Sequence, residues 1–233
     1  MTQSGLPPAR QSDRLTLTKL GPNPPYLTLP MLKDSRLLFK LWLKNPRSIG
    51  AVAVSGSELA AAMARQIPKD LTGYVVELGG GTGAVTRAIL ASGVAPERLV
   101  VVERDPMLHK HLVERFPGVK VLLGDALHLP SLLKRHSIAP VTTIVSSLPL
   151  LSLKKSIQLR IGAQAFAVLE PGAPLIQFTY GLFSPLPRSR LGIVGEVEER
   201  VLQNLPPASV WRYVRPAGPL TRSHGRAKLD HAA

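Results

Sequence analysis

The chain has 233 residues, 45% of them apolar, a length that suits one domain with a single well-buried core. Cysteine is absent, which excludes disulfide bonds and thiolate metal sites, and the scattered histidines show no ligand spacing, so no metal is expected. The 29 basic residues exceed the 15 acidic ones, and the net charge of +14 favours an anionic partner, either nucleic acid or an anionic lipid surface.

A cationic, apolar segment precedes the main domain. Residues 31–45 are predicted to form a helix that ends before Pro46. Its cations are spaced three, four and four residues apart, so they form one narrow stripe. These cations are Lys33, Arg36, Lys40 and Lys44. Apolar side chains, including Trp42, fill the wider arc, as in a helix lying in an anionic membrane interface. A helix packed onto its own domain is the alternative.

A glycine-rich loop follows the first predicted strand, at residues 75–78, and precedes a helix that begins at Ala84. Glu77 lies near the end of that strand, and the three glycines at alternate positions are Gly79, Gly81 and Gly83. Glycines at this spacing allow a sharp turn and a flat approach of the backbone to a ligand. The pattern resembles the S-adenosylmethionine loop of Rossmann-like, class I methyltransferases and differs from the dinucleotide fingerprint. All four residues are predicted to bind this cofactor, with S-adenosylhomocysteine as the product.

The second and third predicted strands also end in acidic residues. Glu103 follows the strand at 99–102, where its carboxylate can accept hydrogen bonds from both ribose hydroxyls of an adenosine. The neighbouring Arg104 is included in the predicted cofactor site. The strand at 119–123 runs into Gly124-Asp125-Ala126. Resemblance to the class I methyltransferases implies that Asp125 contacts the adenine amino group and that the backbone of Ala126 contacts a ring nitrogen.

Further strands are predicted at 141–145 and 174–180, with a helix at about 154–169 between them. Two last strands, at 199–204 and 210–214, flank Pro206-Pro207 and are expected to form an antiparallel hairpin. The sequence therefore predicts an α/β, Rossmann-like, seven-stranded and mostly parallel sheet. The predicted organisation is an arm at 1–49, a methyltransferase domain at 50–215 and a basic flexible tail at 216–233.

The chain also resembles the bacterial phospholipid N-methyltransferases, from residue 39 onward. The segments that carry this resemblance are residues 42–52, residues 146–150 and residues 204–211. The resemblance implies stepwise methylation of the headgroup amine of phosphatidylethanolamine towards phosphatidylcholine. Family members often have a Pro-Ser-Ser run where this chain has Ser55-Gly56-Ser57, and Ser57 is expected to cap a helix at 58–66.

Three residues are candidates for contact with the acceptor amine. Tyr180, at the end of the fifth strand, could hold a methylated cation against its ring and accept a hydrogen bond from the amine. Ser146, or its carbonyl, could orient the amine, with Ser147 as a less favoured neighbour, and Tyr26 could close over the site from the arm. Arg188 or Arg190 could hold the lipid phosphate.

An rRNA adenine-N6 methyltransferase is the main alternative. Those enzymes use an Asn/Asp-Pro/Leu-Pro-Tyr/Phe loop, in which the aromatic ring stacks on a flipped base. The corresponding residues here are Ser146 or Ser147, followed by Leu148, Pro149 and Leu150, and they lack both the acceptor side chain and the aromatic ring. No nucleic-acid partner is therefore expected. A catalytically silent membrane adaptor is disfavoured because the cofactor motifs are intact.

No secretory signal and no apolar stretch of transmembrane length is seen in the sequence. We therefore expect a cytoplasmic protein attached peripherally to the inner face of the plasma membrane, with phospholipid as substrate. A monomer is the favoured oligomeric state.

Overall fold

The computed structural model describes residues 50–70, 72–180, 183–202 and 207–216, with side chains from residue 56 onward. Several predictions fall elsewhere: the amphipathic helix at 31–45 with Lys33, Arg36, Lys40, Trp42 and Lys44, the proposed role of Tyr26, and the tail beyond residue 216. These predictions lie outside the described residues. Within the described ranges, no helix has the length and apolar character needed to cross a bilayer.

Seven strands are described: β1 Tyr74–Leu78, β2 Leu99–Glu103, β3 Lys120–Leu123, β4 Val141–Ser146, β5 Leu175–Thr179, β6 Val194–Val201 and β7 Ala208–Val214. They form a single sheet in the order β3-β2-β1-β4-β5-β7-β6. The first five pair in parallel, and β7 pairs antiparallel with both β5 and β6. The predicted sheet and its C-terminal antiparallel hairpin are confirmed.

Helices cover both faces of the sheet. They are α1 Gly50–Arg65, α2 Ala84–Ala91, α3 Pro106–Arg115, α4 Leu129–Arg135, α5 Lys155–Phe166 and α6 Arg188–Leu191. Alternate residues of β1 therefore pack on opposite faces of the sheet. Val76 and Leu78 pack with α4 and α5, whereas Val75 packs with α1 and α2. Burial on both faces explains why the central strands are continuous apolar runs.

Crossovers between the parallel strands bring their carboxyl ends to one edge of the sheet, which we call the carboxyl edge. At this edge, Gly79 donates its N–H to Val102 and Gly124 donates to Glu103, with N–O distances of 2.8 and 2.9 Å. Asp105 caps α3 as predicted, because its carboxylate accepts hydrogen bonds from the N–H groups of Met107 and Leu108. Pro106 occupies the first turn of that helix.

Two local predictions need correction, and two short helices were not predicted. Ser57 does not cap a helix, because α1 already runs from Gly50 and includes Ser57. The two glycines and two valines before Ser57 are weak helix formers, so little in the sequence indicated that the helix begins this early. Strand β6 begins at Val194 rather than at residue 199, and the short helices α4 and α6 were not predicted.

Candidate active site

A cavity of about 520 Å³ opens at the carboxyl edge, above β1 and β4. The glycine loop forms one wall, and the ends of β2 and β3 form the next. The N-terminal part of α5, the loop after β4 and α1 complete the enclosure. The volume lies in the range of pockets that bind small molecules and cofactors.

The three loop glycines have different structural roles. All have positive φ, at +80° for Gly79, +54° for Gly81 and +83° for Gly83. A Cβ on Gly81 would project into open space, since the nearest atom is the Gly79 carbonyl oxygen at 4.0 Å. At Gly83 a Cβ would collide with the ring of Phe116. Gly79 and Gly81 therefore line the cavity, whereas Gly83, although predicted to bind cofactor, lets α2 pack closely against α3.

Glu103 joins the glycine loop to the end of β2. One carboxylate oxygen accepts the N–H of Gly81 at 2.9 Å, and the other accepts the N–H groups of Arg104 and Asp105 at 2.8 and 2.9 Å. The side chain is buried but lines the cavity. Backbone donors hold the carboxylate in place while further lone pairs remain for a ligand, so this group suits a pair of vicinal hydroxyls.

The next wall holds the other predicted cofactor residues. Arg104, Asp125 and Ala126 all line the cavity. One Asp125 oxygen accepts the N–H of Leu127 at 2.9 Å, and the other lies 3.8 Å from an Arg104 guanidinium nitrogen. Because the Arg104 side chain is 82% exposed, this ion pair contributes little to stability. The fixed carboxylate remains available to accept a hydrogen bond from an exocyclic amine.

Glu77 does not line the cavity and is fully buried beneath the glycine loop. Its Oε2 accepts a hydrogen bond from the Thr86 hydroxyl in α2 at 2.6 Å, and its Oε1 has no partner among the described residues. Burial raises the pKa of Glu77 to about 8; the Thr86 hydroxyl opposes this shift and the nearby charge of Glu103 adds to it. Glu77 is therefore mainly neutral at pH 7 and fastens α2 to β1.

The loop after β4, which we call the acceptor loop (residues 147–153), forms the opposite wall. Ser147, Leu148 and Pro149 line the cavity, whereas the predicted Ser146 lies behind it and is buried. The hydroxyl oxygens of both serines are buried and have no hydrogen-bond partner within the described part of the chain. Of the two serines, Ser147 is therefore the one that lines the cavity.

Two buried glutamines fix the acceptor loop. The Gln177 amide donates to the carbonyl of Leu148 at 3.0 Å. The Gln158 amide, on α5, donates to the carbonyls of Leu150 and Leu153 at 2.8 and 3.0 Å. These glutamines were missed by the sequence predictions, although a polar residue inside the apolar strand Leu175–Thr179 was a usable signal.

Tyr180 lies where predicted, on the cavity wall at the end of β5. Phe178, which the predictions missed, contacts it edge to face, with ring centroids 5.3 Å apart and planes at 72°. The two arginines considered for phosphate binding do not line the cavity. Arg188 instead donates to the Gly195 carbonyl at 3.0 Å and lies over the Trp211 ring.

The cavity fits an S-adenosylmethionine molecule. Gly81 leaves space that a side chain would fill, Glu103 offers carboxylate oxygens for ribose hydroxyls, and Asp125 offers one for an adenine amine. The remaining lining is mainly apolar, as a purine ring requires, with Leu108, Leu127 and Ile161 among its members.

Comparisons with known proteins agree with this geometry. No protein-family model matches the chain. It is 34% identical over 152 residues to an ornithine lipid N-methyltransferase of Singulisphaera acidiphila, covering 64% of this chain and 79% of that protein. A ribosomal RNA small subunit methyltransferase A of Dinoroseobacter shibae is 32% identical over 127 residues, covering 52% of this chain but only 42% of that protein. The CcbJ methyltransferase structure from Streptomyces caelestis shares the fold, with a TM-score of 0.52 and 17% identity, covering 70% of this chain and 90% of that one.

Proposed function

Since this chain belongs to the lipid N-methyltransferases of the class I, S-adenosylmethionine-dependent superfamily, we propose that it methylates the headgroup amine of phosphatidylethanolamine and its methylated derivatives, towards phosphatidylcholine. The observation that carries this proposal is the acceptor loop. It presents Ser147, Leu148 and Pro149 to the cavity, with neither an amide nor an aromatic side chain. Such a wall suits an aliphatic amine better than a nucleobase.

The position of Leu150 argues further against a nucleobase acceptor. Where rRNA adenine methyltransferases have a stacking aromatic residue, this chain has a leucine with 2% exposure, packed in the core. A flipped base would find no ring at this point of the loop to stack on. The net charge of +14 is then better matched by an anionic membrane than by RNA.

The bound S-adenosylmethionine supplies an electrophilic methyl group, and the chain prepares the amine that receives it. The amine nitrogen must have a free lone pair, so it must first lose a proton. Apolar walls formed by Leu148, Pro149 and Phe178 disfavour the ammonium form and lower the amine pKa. The amine first releases this proton to water, and the N–C bond then forms as the S–C bond breaks, so that one proton leaves for each methyl group gained.

Ser147 and Tyr180 are the residues that we assign to the amine itself. The Ser147 hydroxyl can accept an amine proton in a hydrogen bond and so direct the lone pair towards the methyl group. The Tyr180 ring, held by Phe178, can stabilise the methylated ammonium product by a cation–π interaction. The segment at residues 31–45, which the sequence predicts to be an amphipathic helix, is the proposed route to the substrate, through contact of its cations with anionic headgroups.

Transfer of labelled methyl groups tests this function. Purified protein is given labelled S-adenosylmethionine together with vesicles of phosphatidylethanolamine, vesicles of ornithine lipid, or ribosomal RNA, with Glu103→Ala as the matched inactive control. We expect label in phosphatidylethanolamine and its mono- and dimethylated products. Label confined to ornithine lipid, the substrate named for the relative from Singulisphaera acidiphila, would replace the proposed substrate. Label confined to RNA would refute lipid methylation.

A further inference from the structure

The most exposed large apolar side chains lie at the carboxyl edge, around the mouth of the cavity. Among the described residues, six large apolar side chains are exposed, and four of them follow or end a strand at this edge. These four, which we call the apolar rim, are Met107, Leu123, Phe183 and Leu202, with exposures of 77, 51, 81 and 74%. Single exposed apolar residues are ordinary, but several of them at one edge of the sheet indicate an interaction surface.

The topology explains why these residues share an edge. Met107 lies in the first turn of α3, directly after β2, and Leu123 is the last residue of β3. Phe183 follows β5. Leu202 follows β6, which runs parallel to β5 because both are antiparallel to β7. The apolar rim therefore flanks the cavity on both sides.

The apolar rim spans the whole sheet. From β3 to β6 there are six steps between neighbouring strands. At roughly 4.8 Å a step, the two ends of the rim are about 29 Å apart. A surface of this width is far larger than one lipid headgroup, so it suits a bilayer surface.

Exposed cations lie between the apolar side chains at the same edge. Arg104 follows β2, Lys154 and Lys155 begin α5, and Arg200 is next to the last residue of β6. Cations beside apolar side chains match an interface in which acyl chains take the apolar groups and anionic phosphates take the charges. The two remaining exposed apolar residues, Val113 and Val194, lie away from this edge and are less exposed, at 48 and 38%.

We propose that the apolar rim penetrates an anionic phospholipid bilayer, so that the cavity opens directly onto the headgroups. This inference rests on the proposed lipid substrate, and it assigns a second membrane contact within the catalytic domain, separate from the segment at 31–45. With the rim in the bilayer, a lipid headgroup reaches Ser147 and Tyr180 from above the mouth without leaving the membrane.

Labelled cysteines test the proposal directly, because the native chain has no cysteine. Single variants of the full chain at the rim, Met107→Cys, Phe183→Cys and Leu202→Cys, are labelled with an environment-sensitive fluorophore. Val113→Cys and Val194→Cys are the matched controls. On adding vesicles of phosphatidylethanolamine and phosphatidylglycerol, emission from the rim labels is expected to shift to shorter wavelength, while emission from the controls stays unchanged. Phe183→Ser combined with Leu202→Ser is expected to weaken vesicle binding about tenfold.

The first three of the remaining outcomes refute the proposal in distinct ways, and the last one refutes only the proposed function. Rim labels that report an apolar environment before vesicles are added, and do not change afterwards, would show that another part of the chain or a second copy covers the rim. An equal shift at rim and control positions would show adsorption without orientation. Unshifted rim labels in a sample that still methylates vesicle lipid would refute membrane insertion of the apolar rim and leave the proposed function intact. Shifted rim labels with no methyl transfer to any lipid would overturn the proposed function alone.

Discussion

The amide of Gln177 donates a hydrogen bond to the carbonyl of Leu148 at 3.0 Å, which joins the buried strand β5 to the cavity wall. Gln177 is fully buried, and its amide also donates to the Phe178 carbonyl at 2.8 Å. These hydrogen bonds help to fix the backbone of the acceptor loop, whose regular structure is a single 3-10 turn at Leu150–Ser152. Fixed geometry matters here because methyl transfer requires in-line alignment of the amine with the methyl group.

Replacing Gln177 with Leu is expected to lower kcat about tenfold and to leave S-adenosylmethionine affinity nearly unchanged. The substitution leaves the Leu148 carbonyl without its partner, and loss of one buried hydrogen bond costs about 1–3 kcal/mol. Steady-state kinetics and calorimetric titration of the cofactor measure the two quantities. Gln66→Leu is the control, since its amide donates to the Ala62 carbonyl in α1 and Gln66 does not line the cavity. Full kcat in Gln177→Leu would exclude this positioning role.

Replacing Gly81 with Ala is expected to weaken S-adenosylmethionine binding at least about tenfold, because a methyl group would enter the cavity where the ligand must approach the backbone. The matched control is Gly192→Ala. Gly192 has a similar φ of +63° and open space around it, but it does not line the cavity. Both variants carry the strain of a left-handed alanine, about 1–2 kcal/mol, so both should lower Tm. Calorimetric titration of the cofactor separates the two variants. Equal cofactor affinity in Gly81→Ala and Gly192→Ala would disprove the close approach of the ligand to the Gly81 backbone.

The central sheet and much of the cofactor wall could be predicted from the sequence because one physical rule governs both. Strands buried on two faces are continuous apolar runs, and the residues that end them meet at one edge. Glu103, Asp125 and the glycine loop were found in this way. Strand β6 was harder to place because its exposed residues, such as Glu196 and Glu198, alternate with half-buried ones on a solvated outer strand.

The depth of a side chain at the site could not be predicted. Glu77 and Gly79 are two residues apart, yet one lies beneath the loop and the other lines the cavity. Ser146 and Ser147 differ in the same way, because β4 ends between them and the chain turns. Nor does sequence spacing reveal that Gln158 and Gln177 reach the same loop from a helix and a strand. These features depend on packing between distant segments.

Tyr180 can be tested by separating its ring from its hydroxyl. If the ring stabilises methylated ammonium groups, Tyr180→Phe should keep most activity, whereas Tyr180→Ala should lose about tenfold. The loss should be greatest with the dimethylated lipid, whose product carries a permanent charge. Rates with phosphatidylethanolamine and its mono- and dimethylated forms provide the measurement. Equal losses in the Phe and Ala variants would assign the role to the hydroxyl instead.

The raised pKa of Glu77 predicts that the stability of the folded chain depends on pH. Burial raises its pKa from 4.5 to about 8, so between these values the folded state holds a proton that the unfolded state has lost. The contribution of Glu77 to stability is therefore complete below pH 4.5 and declines as pH rises towards 8. Glu77→Gln keeps a neutral side chain at every pH and removes this decline.

Chemical denaturation from pH 5 to pH 9 measures the effect of Glu77 as the difference in unfolding free energy between Glu77→Gln and the native chain. That difference should move in favour of the variant as pH rises and level off above about pH 8. Glu114→Gln is the control, because Glu114 is an exposed residue whose ion pair with Lys110 spans 3.9 Å. A pH-independent difference between Glu77→Gln and the native chain would mean that Glu77 is ionised in the folded protein, and would contradict its neutral contact with Thr86.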